Sequence, residues 1–251
     1  MTKGKSKNFY FLCSLPRAGN TLLGSILNQS KKVQLSANSI IPDILYNLLD
    51  LKDTIGFKNF PYHKGIDNIA SNIFNLYYDN VNVTNIIDNS SWGTPGNLHY
   101  LKQSFTNRKF IILTRPILEC LASFIRVEKP QNVEQRCNQL MDKTTGRLFK
   151  SLWSIQNIIQ QKENYIHLKY DDLINDPKTQ IQKIYNFLNI EPDHLNYDQL
   201  NQFSFDNTFY DDSHIYNDTH TIRVNKIKKL NYKIEDYLPP NVIEKYKGMN
   251  I

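Results

Sequence analysis

Short apolar runs along the chain alternate with stretches in which apolar residues recur every three or four positions. The first run, residues 8–14, predicts a β-strand, and residues 20–28 after it have the spacing of a helix. The same order of strand and then helix recurs through most of the chain. Because parallel strands are joined by crossovers that are usually helical, this order predicts an α/β fold with a central parallel sheet.

The pattern predicts about five strands and a larger number of helices. The predicted strands cover residues 8–14, 32–36, 83–88, 108–114 and 165–169. The predicted helices cover residues 20–28, 40–51, 67–78, 96–105, 117–127, 133–161, 177–188 and 241–247. Residues 108–114 are the clearest strand among these, so we expect them near the centre of the sheet.

The length of 251 residues and the hydrophobic content of 40% fit one folded domain. We predict a single three-layer domain over residues 1–251, with residues 1–7 as a flexible tail. Residues 40–80 contain two amphipathic helices separated by glycine and proline, which predicts a helical excursion from the sheet. Excursions of this kind often contribute to substrate pockets.

The formal net charge is +6 and the isoelectric point is about 9.0, which suits an anionic partner. The basic residues are dispersed, with one local concentration at residues 223–229. A basic stripe of the kind that binds nucleic acid is missing from this pattern, so we do not expect a nucleic-acid partner.

The three cysteines form no C-x-x-C pair, which argues against a disulfide framework or a zinc site and favours a reducing compartment. Cys13 and Cys120 lie in apolar segments and are expected to be buried hydrophobic residues. The apolar run 9–15 is short and is followed at once by Pro16 and Arg17. We therefore expect a soluble, cytoplasmic protein with no membrane partner.

Residues 14–23 (SLPRAGNTLL) lie between a predicted strand and a predicted helix, where main-chain amides and the helix dipole can hold a phosphate. The segment lacks the lysine of a Walker A loop, because Asn20 occupies that position. Arg17 supplies a cation from another position, and Thr21 can donate its hydroxyl. The alternative is an ordinary strand-to-helix turn in which Gly19 serves the backbone geometry.

Two further groups of polar residues follow predicted strands. Arg115 ends one strand, and Ser123 lies about two helical turns further on, so the pair can hold a second phosphate. Tyr170 follows the last strand, at the edge where open α/β sheets bind ligands. For Asp171 and Asp172 we expect helix N-capping rather than catalysis.

The three groups, in this order and spacing, resemble the sulfotransferase family that uses 3′-phosphoadenosine 5′-phosphosulfate (PAPS), and the resemblance covers most of the chain. It implies a sulfotransferase fold like that of P-loop NTPases. It assigns the 3′-phosphate to Arg115 and Ser123 and the adenosine to Tyr170. A loop over residues 201–233 is expected to cover the cofactor or substrate, and its basic segment 220–229 is expected to close over the cofactor, with Arg223 as the first choice. The residues that the resemblance assigns to the 5′-phosphosulfate are Pro16, Arg17, Ala18, Gly19, Asn20, Thr21 and Leu22.

By the same resemblance, the chain is expected to transfer a sulfuryl group from PAPS to a hydroxyl or amine acceptor by in-line displacement, releasing 3′-phosphoadenosine 5′-phosphate (PAP) and needing no metal. Tyrosine, a carbohydrate and a small molecule stay open as acceptors, and the oligomeric state stays open as well. Arginine as the second residue of the loop motif is similar to the tyrosylprotein and bacterial branches of the family.

The usual general bases of the family are missing. Residues 34–41 contain no acidic residue where the tyrosylprotein branch has a glutamate, and residues 88–92 (DNSSW) replace the Lys-x-His of the cytosolic branch. Asp43, His63 and Asp88 are the remaining candidates, and His63 is preferred because imidazoles titrate near neutral pH. Each has a plainer alternative, as a helix-start acid, a surface histidine and a strand-end residue respectively.

Two other functions are compatible with these residues. A P-loop kinase that uses ATP and Mg²⁺ has the same general loop position, although Asn20 in place of lysine argues against it. A degenerate family member that binds PAPS without catalysis would explain why the usual bases are missing.

Overall fold

A computed structural model describes residues 7–210, 227, 232–249 and 251. Its centre is a parallel sheet of five strands in the order β2-β3-β1-β4-β5. The strands are β1 (Asn8–Ser14), β2 (Val33–Leu35), β3 (Asn85–Asn89), β4 (Phe110–Thr114) and β5 (Tyr165–Lys169). The predicted α/β class with about five parallel strands is therefore confirmed.

Helices cover the sheet and build the connections between its strands. They are α1 (Asn20–Leu27), α2 (Ile41–Asp50), α3 (Ile55–Asn59), α4 (His63–Tyr77), α5 (Pro95–Ser104), α6 (Ile117–Glu128), α7 (Val133–Leu140), α8 (Arg147–Gln160), α9 (Tyr170–Asn175), α10 (Pro177–Leu188) and α11 (Pro240–Tyr246). A small hairpin joins β6 (Ser204–Phe205) to β7 (Thr208–Phe209). Within the described ranges, no helix is both long enough and apolar enough to cross a membrane.

The register of the sheet brings the segments predicted to carry chemistry to one edge. β1 is the middle strand, with Leu12 paired to Asn89 of β3 and Ser14 paired to Leu113 of β4. In the next pair, Thr114 of β4 aligns with Lys169 of β5. Because the strands are parallel, their carboxyl ends lie side by side, and the loops after β1, β4 and β5 begin there.

A cluster of aromatic side chains fixes the helices of residues 41–77 to the sheet. Phe11 of β1 is fully buried and contacts Phe74 of α4 and Trp92, with ring centroids 5.8 Å and 5.7 Å away. Phe9 also contacts Phe74 at 5.2 Å. Packed aromatic pairs of this kind stabilise beyond the area that they bury, so α4 is held firmly against β1.

The cysteines lie in the interior, as expected for Cys13 and Cys120. Both side chains are almost fully buried, and burial raises the pKa of each thiol to about 12. Thiols held in this way stay protonated and behave as small hydrophobic side chains.

The prediction of one helix over residues 133–161 is wrong, because a turn separates α7 from α8. The carboxylate of Asp142 accepts hydrogen bonds from the amides of Thr144 and Thr145 at 2.9 and 2.8 Å. Gly146 follows, and a Cβ there would lie 2.5 Å from main-chain atoms of Asp142. Side chain to main chain bonds therefore compete with the helix and end it.

Residues 41–77 form α2, a 3₁₀ turn at Leu51–Asp53, α3 and α4. The second predicted helix starts earlier than expected, at His63, and α3 was not predicted. In the segment predicted to cover the cofactor, residues 201–233, the structure describes 201–210, 227, 232 and 233. The rest of that segment, including Arg223, and most of the predicted tail 1–7 lie outside the described residues.

We expect Gly93→Ala to destabilise the fold. A Cβ on Gly93 would lie 2.0 Å from the carbonyl oxygen of Ser154 in α8, so main chain must move. The free energy of unfolding, measured by urea denaturation, should fall by ~1–3 kcal/mol, as for other overpacking substitutions. Gly56→Ala is the matched control, because nothing lies within 4 Å of a Cβ there. Equal stability of the Gly93 variant and wild type would contradict the close packing of α8.

Candidate functional site

The loop between β1 and α1 contains two residues with left-handed backbone conformations. Arg17 has φ of 68° and Gly19 has φ of 99°. The left-handed region is uncommon for a residue with a side chain, and such residues concentrate at functional sites. Pro16 and Ala18 lie in the same loop, and the Ala18 amide bonds to the Leu15 carbonyl at 3.2 Å.

The amides that follow Gly19 point out of the start of α1. The first helical bond runs from the Leu23 amide to the Gly19 carbonyl at 2.9 Å, so the amides of Asn20, Thr21 and Leu22 precede it. Gly19 at the N-cap offers no side-chain oxygen, and the first turn contains no acidic residue. These amides and the positive end of the helix dipole are a suitable environment for an anion.

The side-chain amide of Asn20 adds an unsatisfied polar group to this helix start. Its Oδ1 atom is buried and has no hydrogen-bond partner within the described part of the chain. Buried polar groups are nearly always bonded. An amide oxygen only accepts, so this atom needs an N–H or O–H donor and does not itself help to hold an unprotonated phosphate oxygen.

Arg17 and Ser123 are in direct contact, although they are 106 residues apart. The Nε atom of Arg17 donates to the Ser123 hydroxyl at 3.2 Å, and Ser123 is buried in α6. Nη1 of Arg115 in turn donates to the Arg17 carbonyl at 3.1 Å. The loop after β1, the end of β4 and helix α6 therefore share one hydrogen-bond network.

Arg115 is the buried centre of this network. Its Nε donates to the Glu119 carboxylate at 2.9 Å, and its Nη2 donates to the Tyr232 hydroxyl at 3.0 Å. Burial acts against its charge, but Tyr232, Glu119 and Tyr170 outweigh that effect and raise the pKa of Arg115 above its ordinary value. Arg115 is therefore a fixed cation.

Tyr170 completes the cluster from the end of β5, the strand next to β4. It begins α9 directly after β5, and its ring centroid lies 4.3 Å from the guanidinium carbon of Arg115. A Cβ on Gly19 would lie 2.9 Å from the Tyr170 ring, so the ring packs against the loop where only glycine leaves room. Arg17, Gly19, Arg115, Ser123 and Tyr170 thus lie together.

The expected N-capping by Asp171 and Asp172 is wrong. Lys169 holds the N-cap position of α9, and both aspartates lie in the first helical turn. The side chain that caps the next helix is Asp176, which accepts from the Thr179 amide at 3.2 Å. Negative charge in a first turn still suits the helix dipole.

Two of the candidate bases lie on the helices of residues 41–77. Asp43 is exposed in the first turn of α2, and its carbonyl accepts from the Asn47 side chain. His63 is exposed at the start of α4, rather than in a loop, and its ring meets Phe57 edge to face at 4.8 Å. None of these contacts joins Asp43 or His63 to Arg17.

Asp88, the third candidate base, is in the core. The side chain is fully buried, and its two carboxylate oxygens accept bonds from the Tyr78 hydroxyl and from Trp92 Nε1, the latter at 2.7 Å. Burial raises the pKa of Asp88 to about 6, although the bonds from Tyr78 and Trp92 act in the opposite direction. An acceptor has no approach to this carboxylate, so we correct the base assignment and treat Asp88 as a structural residue.

Several residues near the site were not predicted. Glu119 forms an ion pair with Arg115 and lies four residues after it. This spacing, one helical turn, is a local signal from which the ion pair could have been predicted. Asn89 ends β3, and its Oδ1 accepts from Ser14 at 3.4 Å, a contact between strands that gives no local signal. Tyr232 lies 117 residues from Arg115 and has no local signal either. The described residues contain no group of three or more His, Cys, Asp or Glu that could hold a metal.

Comparison with solved structures identifies the class of protein that has this fold. A sulfotransferase from Alicyclobacillus acidocaldarius matches with 14% identity and a TM-score of 0.52, over 75% of this chain and 83% of the other. Mouse sulfotransferase SULT7A1, solved in complex with PAP, matches with 12% identity and a TM-score of 0.51, over 97% and 82%. The fold is that of the sulfotransferases.

The sequence match is more specific than the structural one. The model of the sulfotransferase family matches residues 10–194, which include the loop after β1, Arg115, Ser123 and Tyr170. The chain therefore belongs to the sulfotransferase family. A search of curated proteins found no match.

We expect Asp88→Asn to remove a pH dependence of stability. A carboxyl whose pKa is raised by folding prefers the protonated form, so wild-type stability falls relative to the variant as pH rises from about 4 to about 6. Over about two pH units, at ~1.4 kcal/mol per unit, the free energy of unfolding of wild type relative to the variant falls by roughly 3 kcal/mol at most. Urea denaturation of both proteins at several pH values measures it. A stability difference that does not vary with pH would contradict the raised pKa.

Proposed function

We propose that this protein is a PAPS-dependent sulfotransferase that transfers the sulfuryl group to a hydroxyl or amine acceptor. The observation that carries the proposal is the network that joins Arg17, Ser123 and Arg115. It links an anion-binding helix start to a second cation in the same part of the site. A ligand with two separate phosphate groups, such as a 3′,5′-bisphosphorylated nucleotide, fits two such sites better than ATP does.

The first site suits the 5′-phosphosulfate. The amides of Asn20, Thr21 and Leu22 precede the first bond of α1, and the Thr21 hydroxyl is a further donor in the same turn. Arg17 adds a positive charge from the loop. Main-chain amides and an arginine form charge-assisted bonds to phosphate oxygens, which are stronger than neutral hydrogen bonds.

The second site suits the 3′-phosphate. Arg115 is held in place by Glu119 and by the Arg17 carbonyl, and Ser123 lies on the adjoining helix within reach of Arg17. The stacking of Tyr170 on Arg115 supports the assignment of the adenosine to this side of the proposed site.

The proposed chemistry is an in-line displacement at sulfur. When bound, PAPS supplies the sulfuryl group: a bond forms from the acceptor oxygen or nitrogen to sulfur, the bond from sulfur to the 5′-phosphate oxygen breaks, and the acceptor proton passes to a base. Arg17 and the loop amides stabilise the charge that develops on the leaving phosphate. His63 and Asp43 are the proposed bases, both on the helices that follow β2.

The same helices are the proposed side for acceptor binding. Of thirteen large hydrophobic side chains that are exposed in the described residues, ten lie between Ile40 and Tyr77. Tyr46 of α2 lies against Gly96 at the start of α5, and so beside the loop that follows β3. Concentrated exposed apolar area marks a binding surface, which favours an acceptor with an aromatic or apolar part.

A second candidate function is PAPS binding without turnover. It is favoured by the burial of Asp88, which removes one of the three candidate bases. Release of PAP from PAPS in the presence of a panel of phenols, sugars and tyrosine peptides separates the two functions. Turnover with any acceptor excludes the second.

We expect PAP to stabilise the protein more than ATP, GTP or adenosine 5′-phosphate does. A ligand that binds only the folded state stabilises it by an amount that grows with the logarithm of [L]/Kd, ~2.7 kcal/mol at a hundredfold excess over Kd, and so raises the melting temperature. Thermal denaturation with each nucleotide at the same concentration ranks the nucleotides by the shift in melting temperature that they cause. A larger shift with ATP and Mg²⁺ than with PAP would favour a kinase and contradict the proposal.

We expect Arg17→Ala to abolish or nearly abolish sulfuryl transfer. Loss of a group that stabilises charge in the transition state lowers turnover by ~10²–10³-fold. The measurement is the rate of PAP release with an active acceptor. Lys102→Ala is the control, since Lys102 pairs with Glu163 at the opposite edge of the sheet. Unchanged turnover in the Arg17 variant would refute its assignment.

A further inference from the structure

Tyr232 contacts the proposed 3′-phosphate site from the C-terminal part of the chain. Its hydroxyl accepts a hydrogen bond from Arg115 Nη2 at 3.0 Å. The same hydroxyl donates to the main-chain carbonyl of Glu119 at 3.3 Å. The phenol oxygen therefore lies directly on the guanidinium to which the 3′-phosphate is assigned.

The ring of Tyr232 is held independently of any ligand. The guanidinium carbon of Arg126 lies 5.6 Å from its centroid, and the Tyr237 ring meets it edge to face at 5.4 Å. Burial raises the pKa of Tyr232, so the hydroxyl keeps its proton and stays a donor. A ring packed on two sides in this way stays in place while its hydroxyl proton is free to turn.

Arg115 has donors to spare for a phosphate while Tyr232 stays bound to it. A guanidinium carries five N–H groups. The bonds to Glu119, Arg17 and Tyr232 use one N–H on each of its three nitrogens. Among the residues that the structure describes, no other partner uses the second N–H on Nη1 or on Nη2, so both remain for phosphate oxygens. The Tyr232 hydroxyl lies beside the one on Nη2.

We propose that Tyr232 is a further residue that binds the sulfuryl-donor nucleotide. Its hydroxyl turns from the Glu119 carbonyl to an oxygen of the 3′-phosphate. With Arg115 and Ser123 it forms a three-residue site that selects nucleotides phosphorylated at the 3′ position. The exchange is favourable because a long neutral bond of 3.3 Å is replaced by a charge-assisted one. The inference rests on the proposed function, since it assumes a 3′-phosphorylated donor.

Tyr232→Phe tests the inference, because it removes the hydroxyl and keeps the ring between Arg126 and Tyr237. Isothermal titration with PAP and with adenosine 5′-phosphate compares two ligands that differ in the 3′-phosphate. We expect Kd for PAP to rise ~10-fold or more, as for the loss of a hydrogen bond to a charged group. Kd for adenosine 5′-phosphate should stay as in wild type.

Tyr246→Phe is the matched control, because it removes a hydroxyl bonded to Asn138 at 2.7 Å and far from Arg115 along the chain. Both affinities should be unchanged in it. Tighter or unchanged PAP binding by the Tyr232 variant would overturn the inference, and so would an equal loss for both nucleotides. If wild type itself shows no preference for PAP over adenosine 5′-phosphate, the proposed function fails first.

Discussion

The buried charge of Arg115 is the constraint around which the site is built. An arginine that is only 8% exposed is costly unless the N–H groups of its guanidinium are bonded and its charge is compensated. Arg115 meets that requirement with the Glu119 carboxylate, the Arg17 carbonyl, the Tyr232 hydroxyl and the face of Tyr170. Each partner comes from a different element, so the position of each depends on the others.

The parallel sheet makes this convergence possible. β1 lies between β3 and β4, and the carboxyl ends of β1, β4 and β5 are side by side, so short loops suffice to bring Arg17, Arg115 and Tyr170 into contact. The proposed donor side of the site is therefore anchored at the ends of paired strands. The proposed acceptor side lies on the helices of residues 41–77, which the aromatic contacts of Phe74 hold against the sheet.

The sequence prediction succeeded where one local pattern decided the outcome and failed where two patterns competed. The five strands are short apolar runs, and burial is their dominant energy, so hydrophobicity alone located them. The apolar spacing of residues 133–161 continues across the turn at Asp142. There the hydrogen bonds that the Asp142 carboxylate accepts from main-chain amides are favoured over continuation of the helix. Pro61 and Gly65 are breakers and favour a loop between the predicted helices at 40–51 and 67–78, yet α4 begins between them, at His63.

The amino-acid pattern was sufficient for the α/β class and for an anion-binding loop after the first strand, because both depend on residues close together in the chain. The environment of each side chain was decided by tertiary structure. The sequence predicts an acidic residue at the end of a strand for Asp88, but packing encloses its side chain between Tyr78 and Trp92. The contacts of Arg115 with Arg17 and Tyr232 join residues 98 and 117 positions apart. Periodicity reports local structure and which face is buried, whereas contacts at such separations exist only once the strands have been ordered in the sheet.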